Sequence, residues 1–192
     1  MARSFSEREK GAIQKGLIAA CQESWAQHGY KKTSVEELCK QAGISKGAFY
    51  LFFPSKESLF CEVLCSVQEQ VLEAAGQAVE QRRDKSGILE AMKLIYQEYA
   101  KNSFLCHAGS GDYTALQNKL SEEQLGRLAA LEERGKQLFL GQPHLELKVS
   151  QGLAVSAIYS LLMNVRNKDV LPCGHVEVFG FLAECLVEKL YQ

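Results

Sequence analysis

Apolar residues recur at the three- and four-residue spacing of an amphipathic helix along most of the 192-residue chain. The first such series joins Ile13, Leu17, Cys21 and Trp25. No stretch alternates apolar and polar residues with the period of two that a half-buried strand requires. The pattern therefore predicts an all-α fold.

Capping residues divide the first third of this pattern. Ser6 followed by Glu9 predicts a capping box at the start of the first helix, and Gly29 is placed to end it with a left-handed residue. A second helix is predicted from a cap at Thr33, paired with Glu36, to a tight turn at Gly43.

A third helix is predicted from a cap at Ser45 to about Phe52, before Pro54 interrupts the chain. Further helices are predicted over about 56–81, 88–106, 113–120, 122–140, 145–165 and 176–190. No apolar run is long enough to cross a bilayer, and the polar N-terminus does not look like a secretory signal. These observations predict a cytoplasmic protein without a membrane partner.

The charge is unevenly distributed between the two ends of the chain. Residues 1–56 contain nine Lys or Arg and five acidic residues, whereas the remaining residues contain 13 basic and 18 acidic ones. A basic N-terminal region on an acidic remainder localises attraction to phosphate at one end of the molecule. This asymmetry favours a nucleic-acid partner.

The second and third predicted helices have the spacing of a helix-turn-helix, in which the second of the two helices enters the major groove of DNA. This helix would present cationic, small and hydroxyl-bearing side chains to base edges and phosphates. The candidate DNA-binding residues are Thr33, Ser45, Lys46, Gly47, Ala48, Tyr50 and Lys56.

The string from Gly43 to Glu57, GISKGAFYLFFPSKE, closely resembles the N-terminal DNA-binding domain of TetR-family transcriptional regulators. Phe52 stands where many relatives have histidine, and it is expected to pack rather than contact DNA. The resemblance implies a helix-turn-helix domain over 1–54 and a helical effector-binding and dimerisation domain over 55–192. It also implies a repressor that forms a homodimer through its last two helices and leaves a palindromic operator when a small molecule binds. The penultimate helix is apolar nearly all round, which suits such an interface or the centre of a monomer's core.

The effector is open between two classes. An apolar small molecule would be lined by Met92, Tyr96, Tyr99, Phe104, Tyr113, Phe139 and Tyr159, although aromatic residues at helical spacing are also ordinary core residues. A metal- or redox-responsive site would use Cys106, His107, Cys173 and His175, although free cysteines are also small buried hydrophobes.

An enzyme and a helical adaptor that binds only proteins are the alternatives to a regulator. The sequence contains no nucleophile elbow, phosphate-binding loop or dinucleotide fingerprint, so no enzyme and no cofactor are predicted. A helical adaptor that binds only proteins would have no reason to place Lys46, Tyr50 and Lys56 on one exposed helix. A DNA-binding regulator is therefore the predicted function.

Overall fold

The computed structural model describes residues 5–106 and 110–192. That part of the chain forms α-helices and two 3₁₀ segments, Ser103–Cys106 and Asn164–Val170, with no β-strand, which confirms the all-α prediction. The helices are α1 Glu7–Lys32, α2 Val35–Gln41, α3 Lys46–Phe49, α4 Lys56–Arg82, α5 Lys85–Lys101, α6 Gly111–Gln117, α7 Glu122–Leu140, α8 Gln151–Met163 and α9 His175–Leu190.

The helices belong to two compact units. Unit 1 contains the described residues up to 66 together with 110–126, and unit 2 contains 67–106 and 127–192. The helix α4 is shared, since its first part belongs to unit 1 and the remainder to unit 2. The domain boundary after residue 54 stays a prediction, and these units divide the chain differently.

Two of the three predicted helix caps, Ser6 and Ser45, are present in the structure. Ser6 and Glu9 form the capping box of α1, with the Ser6 N–H donating to the Glu9 carboxylate at 2.8 Å. Gly29 adopts a positive φ of 80°, as expected, but helical turns resume beyond it as far as Lys32. The capping box at Ser6 and Glu9 thus sets the start of α1, whereas its C-terminal end lies beyond Gly29.

The cap of α2 is Ser34 and not Thr33, so that prediction was wrong by one residue. The Ser34 hydroxyl accepts the backbone N–H of Glu37 at 3.2 Å. Thr33 is buried, where its hydroxyl donates to the Gly29 carbonyl at 2.9 Å and lies 3.0 Å from the hydroxyl of Ser24. The Thr33 hydroxyl therefore bonds to buried partners and does not cap α2.

The core of unit 1 is built around the start of α4. Phe60 of that helix packs against Trp25, with 4.7 Å between ring centroids, and meets the ring of Tyr30 edge-on at 5.1 Å. Leu38 of α2 and Phe49 of α3 are fully buried. Because α2 and α3 each anchor an apolar side chain in this core, their opposite faces remain on the surface.

The core of unit 2 is formed by α5, α8 and α9. Tyr96 of α5 stacks on Phe179 of α9 with 3.9 Å between centroids. Asp84 caps α5, which therefore begins earlier than predicted. The predicted helix over 145–165 is shorter than expected, because it begins at residue 151 and its end continues as a 3₁₀ segment.

The residues before α8 pair instead with the end of the chain. Leu147 and Tyr191 form an isolated antiparallel bridge, and the Lys148 N–H donates to the Leu190 carbonyl at 2.8 Å. Tyr191 is fully buried. In the described part of the chain, every helix is too short or too polar to traverse a bilayer.

Candidate DNA-binding surface

The turn between α2 and α3 requires a glycine. Gly43 adopts a φ of 68°, in the left-handed region that glycine enters without steric cost. Ser45 then caps α3 by accepting the backbone N–H of Ala48 at 3.2 Å, as predicted. The helix α3 ends at Phe49, three residues earlier than expected, and the N–H groups of Leu51 and Phe52 then donate to carbonyls three residues back, as in a 3₁₀ turn.

This arrangement exposes one side of α3. Ser45, Lys46, Gly47 and Tyr50 are exposed, and Ala48 is half-buried. The Tyr50 ring meets Phe49 edge-on with centroids 5.3 Å apart, so its hydroxyl is carried on a ring that the core holds in place. Five of the seven predicted DNA-binding residues therefore share one accessible surface.

Lys46 is paired on this surface with an acid from α2. Its ammonium donates a short hydrogen bond to the carboxylate of Glu36, and both side chains are more than half exposed. The pair lowers the pKa of Glu36 and raises the pKa of Lys46, chiefly through this hydrogen bond. The local sequence indicated a capping role for Glu36 and gave no sign of this pair, because a separation of ten residues is not a helical spacing.

Lys56 is held by the protein and is only partly accessible. Its ammonium donates to the Tyr30 carbonyl at 2.6 Å and lies 4.3 Å from the centre of the Tyr30 ring. Burial lowers the pKa of Lys56. The structure thus gives Lys56 a role in joining α4 to the end of α1, beyond the phosphate contact predicted for it.

A second cluster of charges lies beside Lys56 in unit 1. Glu57 accepts the Tyr30 hydroxyl at 2.5 Å and the Lys119 ammonium at 3.3 Å. Burial opposes ionisation of Glu57, but hydrogen bonds from Tyr30, from its own backbone and from Lys119 outweigh burial, and its pKa is lowered. Lys31 pairs with Asp112 at 3.2 Å. Together these contacts join residues 110–126 to α1 and α4.

Two positions depart from the predicted DNA contacts. Thr33 is buried and hydrogen-bonded inside unit 1, so its side chain is not accessible to a phosphate. Leu51, which was not a candidate, is 71% exposed directly after Tyr50. Phe52 is half-buried and packs near Phe5 with ring centroids 5.9 Å apart, as expected of a packing residue.

The seven predicted effector-binding residues do not form one group. Tyr113 belongs to unit 1 and the others to unit 2. Tyr159 is 45% exposed and Tyr99 is half-buried. The buried members are core residues of unit 2, namely Met92, Tyr96, Phe104 and Phe139. Their role in effector binding stays a prediction.

An open groove of about 590 Å³ lies on unit 2, and it includes none of these seven side chains. It is bordered by α8, the 3₁₀ segment that follows α8, and α9. Its lining residues are Ala157, Ser160, Leu161, Met163, Asn164, Arg166, Asn167, Leu182 and Leu186.

The predicted metal site is not supported. Within residues 5–106 and 110–192, no cluster of three or more His, Cys, Asp or Glu is arranged to hold an ion. His107 lies outside the described residues, and the position of the Cys106 side chain is not described either. The Nδ1 of His175 lies 3.2 Å from the Tyr96 hydroxyl, and Cys173 is an exposed free thiol.

Comparison with known proteins agrees with this geometry. Residues 17–63 match the family of bacterial regulatory proteins described as the tetR family. The HTH-type transcriptional regulator YuxN of Bacillus subtilis is 49% identical over 60 residues, which are 31% of this chain and 19% of YuxN. RutR of Escherichia coli, also an HTH-type transcriptional regulator, is 35% identical over 57 residues, which are 30% of this chain and 27% of RutR. The alignments thus span about a fifth to a quarter of these relatives.

Solved structures match over nearly the whole chain. A TetR-family regulator from Marinobacter aquaeolei has a TM-score of 0.69 at 19% identity, with 97% of this chain and 100% of that one covered. FadR from Bacillus subtilis, solved in complex with stearoyl-CoA, has a TM-score of 0.66 at 17% identity, with 91% and 98% covered. Residues 17–63 are therefore similar to the tetR family of bacterial regulatory proteins, and the chain as a whole has the fold of solved structures of TetR-family regulators.

Proposed function

We propose that the chain is a DNA-binding transcriptional repressor that is released from a palindromic operator when an effector binds to unit 2. The supporting observation is the accessible side of α3, where Lys46 and Tyr50 stand beside the exposed N-terminal cap of that helix. A cation and a ring-borne hydroxyl are the groups that position a protein on phosphates, while the half-buried methyl of Ala48 suits a thymine methyl.

A homodimer is proposed from the surface of unit 2. Large apolar side chains are exposed on its last two helices, at Leu153 and Tyr159 of α8 and at Val176, Phe181 and Leu182 of α9. Large apolar side chains left exposed to water are expected where two proteins bind each other. A two-fold dimer carries two copies of α3, and a palindromic operator supplies two half-sites about one helical repeat apart.

The effector is proposed to be an apolar small molecule bound by unit 2. The complex of FadR from Bacillus subtilis with stearoyl-CoA makes a molecule with a long apolar acyl chain, such as an acyl-CoA, the first compound to test, although its head group is charged. The signal is proposed to pass along α4, the helix that both units share. An effector can shift the protein away from DNA only if it binds the released state more tightly than the DNA-bound state.

The DNA-binding proposal is tested by a mobility-shift titration on the DNA upstream of the protein's own gene. Lys46→Ala and Tyr50→Ala should each weaken binding at least tenfold, since each removes a hydrogen bond to a charged phosphate, at about 1.5–3 kcal/mol per contact. Lys136→Ala is the charge-matched control, because Lys136 pairs with Glu132 on the surface of unit 2. The control should bind like the wild type.

The titration also separates a regulator from a helical adaptor. Binding by the regulator should weaken steeply as salt is raised, because counterions are released from the duplex. The absence of binding at low salt would favour the adaptor. Equal affinities for Lys46→Ala, Tyr50→Ala and the wild type would refute the role given to α3.

A further inference from the structure

Glu36 brings a negative charge to the surface that would meet DNA. It lies in the first turn of α2, where Ser34 caps the helix and the α-helical N–H groups favour an acid. Its carboxylate reaches the ammonium of Lys46, the first residue of α3. A group that touches Lys46 is within one side-chain length of any phosphate that Lys46 contacts.

This pairing changes what Lys46 contributes to DNA binding. A lysine with no acidic neighbour releases one condensed cation when it meets a phosphate. The Lys46–Glu36 pair is neutral as a whole, and Lys46 must share its three N–H donors between the carboxylate and the phosphate. The carboxylate then stays close to the phosphate, and like charges at that distance repel each other.

The pair contributes little to the stability of the fold. The Lys46 and Glu36 side chains are 54% and 62% exposed, and ion pairs between such groups are screened by water and salt. Leu38 and Phe49, which are fully buried, already anchor α2 and α3 in the core. The effect of Glu36 is therefore expected in DNA binding.

We propose that Glu36 sets the strength of DNA binding by occupying Lys46, so that it acts as a built-in competitor of the DNA phosphates. This inference rests on the proposed function of α3. Glu36 lowers the affinity for DNA of any sequence, because it weakens a contact to a phosphate and not a contact to a base. Binding then depends more on the contacts made by the other residues of the surface.

The test measures affinity for a short labelled duplex of mixed sequence as a function of salt. Glu36→Gln keeps the size of the side chain and removes its charge. It should bind about fivefold more tightly than the wild type at low salt. The plot of log affinity against log salt should become steeper by about 0.9 for each bound subunit, and by about 1.8 for a dimer that engages both copies of α3, because Lys46 then counts as one full phosphate contact per subunit.

Glu37→Gln is the matched control on the same helix, since it changes the net charge equally and leaves the Lys46–Glu36 pair intact. It should leave the slope unchanged. In a Lys46→Gln background, Glu36→Gln should no longer alter the slope, because the residue it acts on has gone. Thermal unfolding of each variant should match the wild type.

The outcomes distinguish this inference from the proposed function. A wild type that binds no DNA at low salt would refute both. A wild type that binds, with Glu36→Gln and Glu37→Gln giving the same affinity and slope, would refute only the role of Glu36. Weaker binding by Glu36→Gln would also refute it, because the carboxylate would then be orienting Lys46 toward the phosphate.

Discussion

At the scale of single residues, the hydroxyl of Tyr191 is a buried group with one defined partner. The side chain is fully buried, and its hydroxyl donates to the Phe139 carbonyl at 3.0 Å. Tyr191→Phe should lower the free energy of unfolding by about 1 kcal/mol, measured by urea denaturation, because that carbonyl loses a buried donor. Tyr50→Phe, on an exposed ring, should change it by less than about 0.5 kcal/mol. Equal effects would contradict the role of burial.

The same tyrosine makes the free energy of unfolding depend on pH in the alkaline range. Burial raises the pKa of Tyr191 to about 12, whereas a tyrosine in the unfolded chain ionises near 10. Between these values the unfolded chain loses the proton that the folded chain keeps, so the contribution is complete below about pH 10 and declines as pH rises toward about 12. The wild type should lose more stability than Tyr191→Phe across this window, measured by urea denaturation at matched pH values. Identical losses would show that Tyr191 is not the group responsible.

Lys56 and Lys46 should respond differently to the same change. Lys56→Gln removes the donor to the Tyr30 carbonyl and the cation over the Tyr30 ring, so it should lower the free energy of unfolding by about 1–2 kcal/mol. Lys46→Gln should leave stability near that of the wild type, because its only described partner is an exposed acid. Thermal and urea unfolding of the two variants measure the difference. The reverse order would mean that Lys56 is not anchored as the structure describes.

At the scale of elements, the turn between α2 and α3 depends on the backbone conformation of Gly43. A Cβ at this position meets no atom within 4 Å, so the cost of Gly43→Ala comes from its φ of 68°. We expect a loss of about 1 kcal/mol in the free energy of unfolding, together with weaker DNA binding as α3 shifts. Gly11→Ala, in open space within α1, should instead gain about 0.5–1 kcal/mol, because alanine favours a helix. Urea denaturation measures both changes, and a neutral Gly43→Ala would argue against a strained turn.

The sequence specified those features that depend on near neighbours. The cap at Ser45, the turn at Gly43 and the accessible side of α3 follow from residues within a few positions of one another. Tertiary contacts decided the remainder. Thr33 is buried, with its hydroxyl in contact with that of Ser24. Residues 146–148 pair with the end of the chain, although their composition favours a helix.

The candidate site shows the same division. Local spacing predicted which residues of α3 would be accessible, since residues three or four apart in a helix lie on the same face. It could not predict that Glu36 would meet Lys46, because that contact depends on the angle at which α2 and α3 are joined. Nor could it predict that Tyr30 would hold Lys56, because that contact joins residues of different helices.

At the scale of the whole molecule, the proposed homodimer depends on the exposed apolar residues of α8 and α9. Phe181, 67% exposed, has the largest exposed fraction of these residues. Phe181→Glu should produce a monomer in sedimentation velocity and weaken operator binding at least tenfold, because two half-sites are no longer engaged together. Leu125→Glu, at an exposed leucine of unit 1, is the control and should sediment like the wild type. A dimeric Phe181→Glu would place the interface elsewhere.

Unit 1, which carries the proposed DNA-binding surface, is not one continuous stretch of chain. Glu57 is bound by Lys119, Lys31 by Asp112, and the Ser58 hydroxyl by Gln124 at 3.2 Å. A fragment excised after residue 66 would leave these three partners behind. A fragment that is meant to keep the proposed DNA-binding surface should therefore include 110–126; without that segment, α1 keeps its packing against Phe60 of α4, but α1 and α4 lose these three contacts.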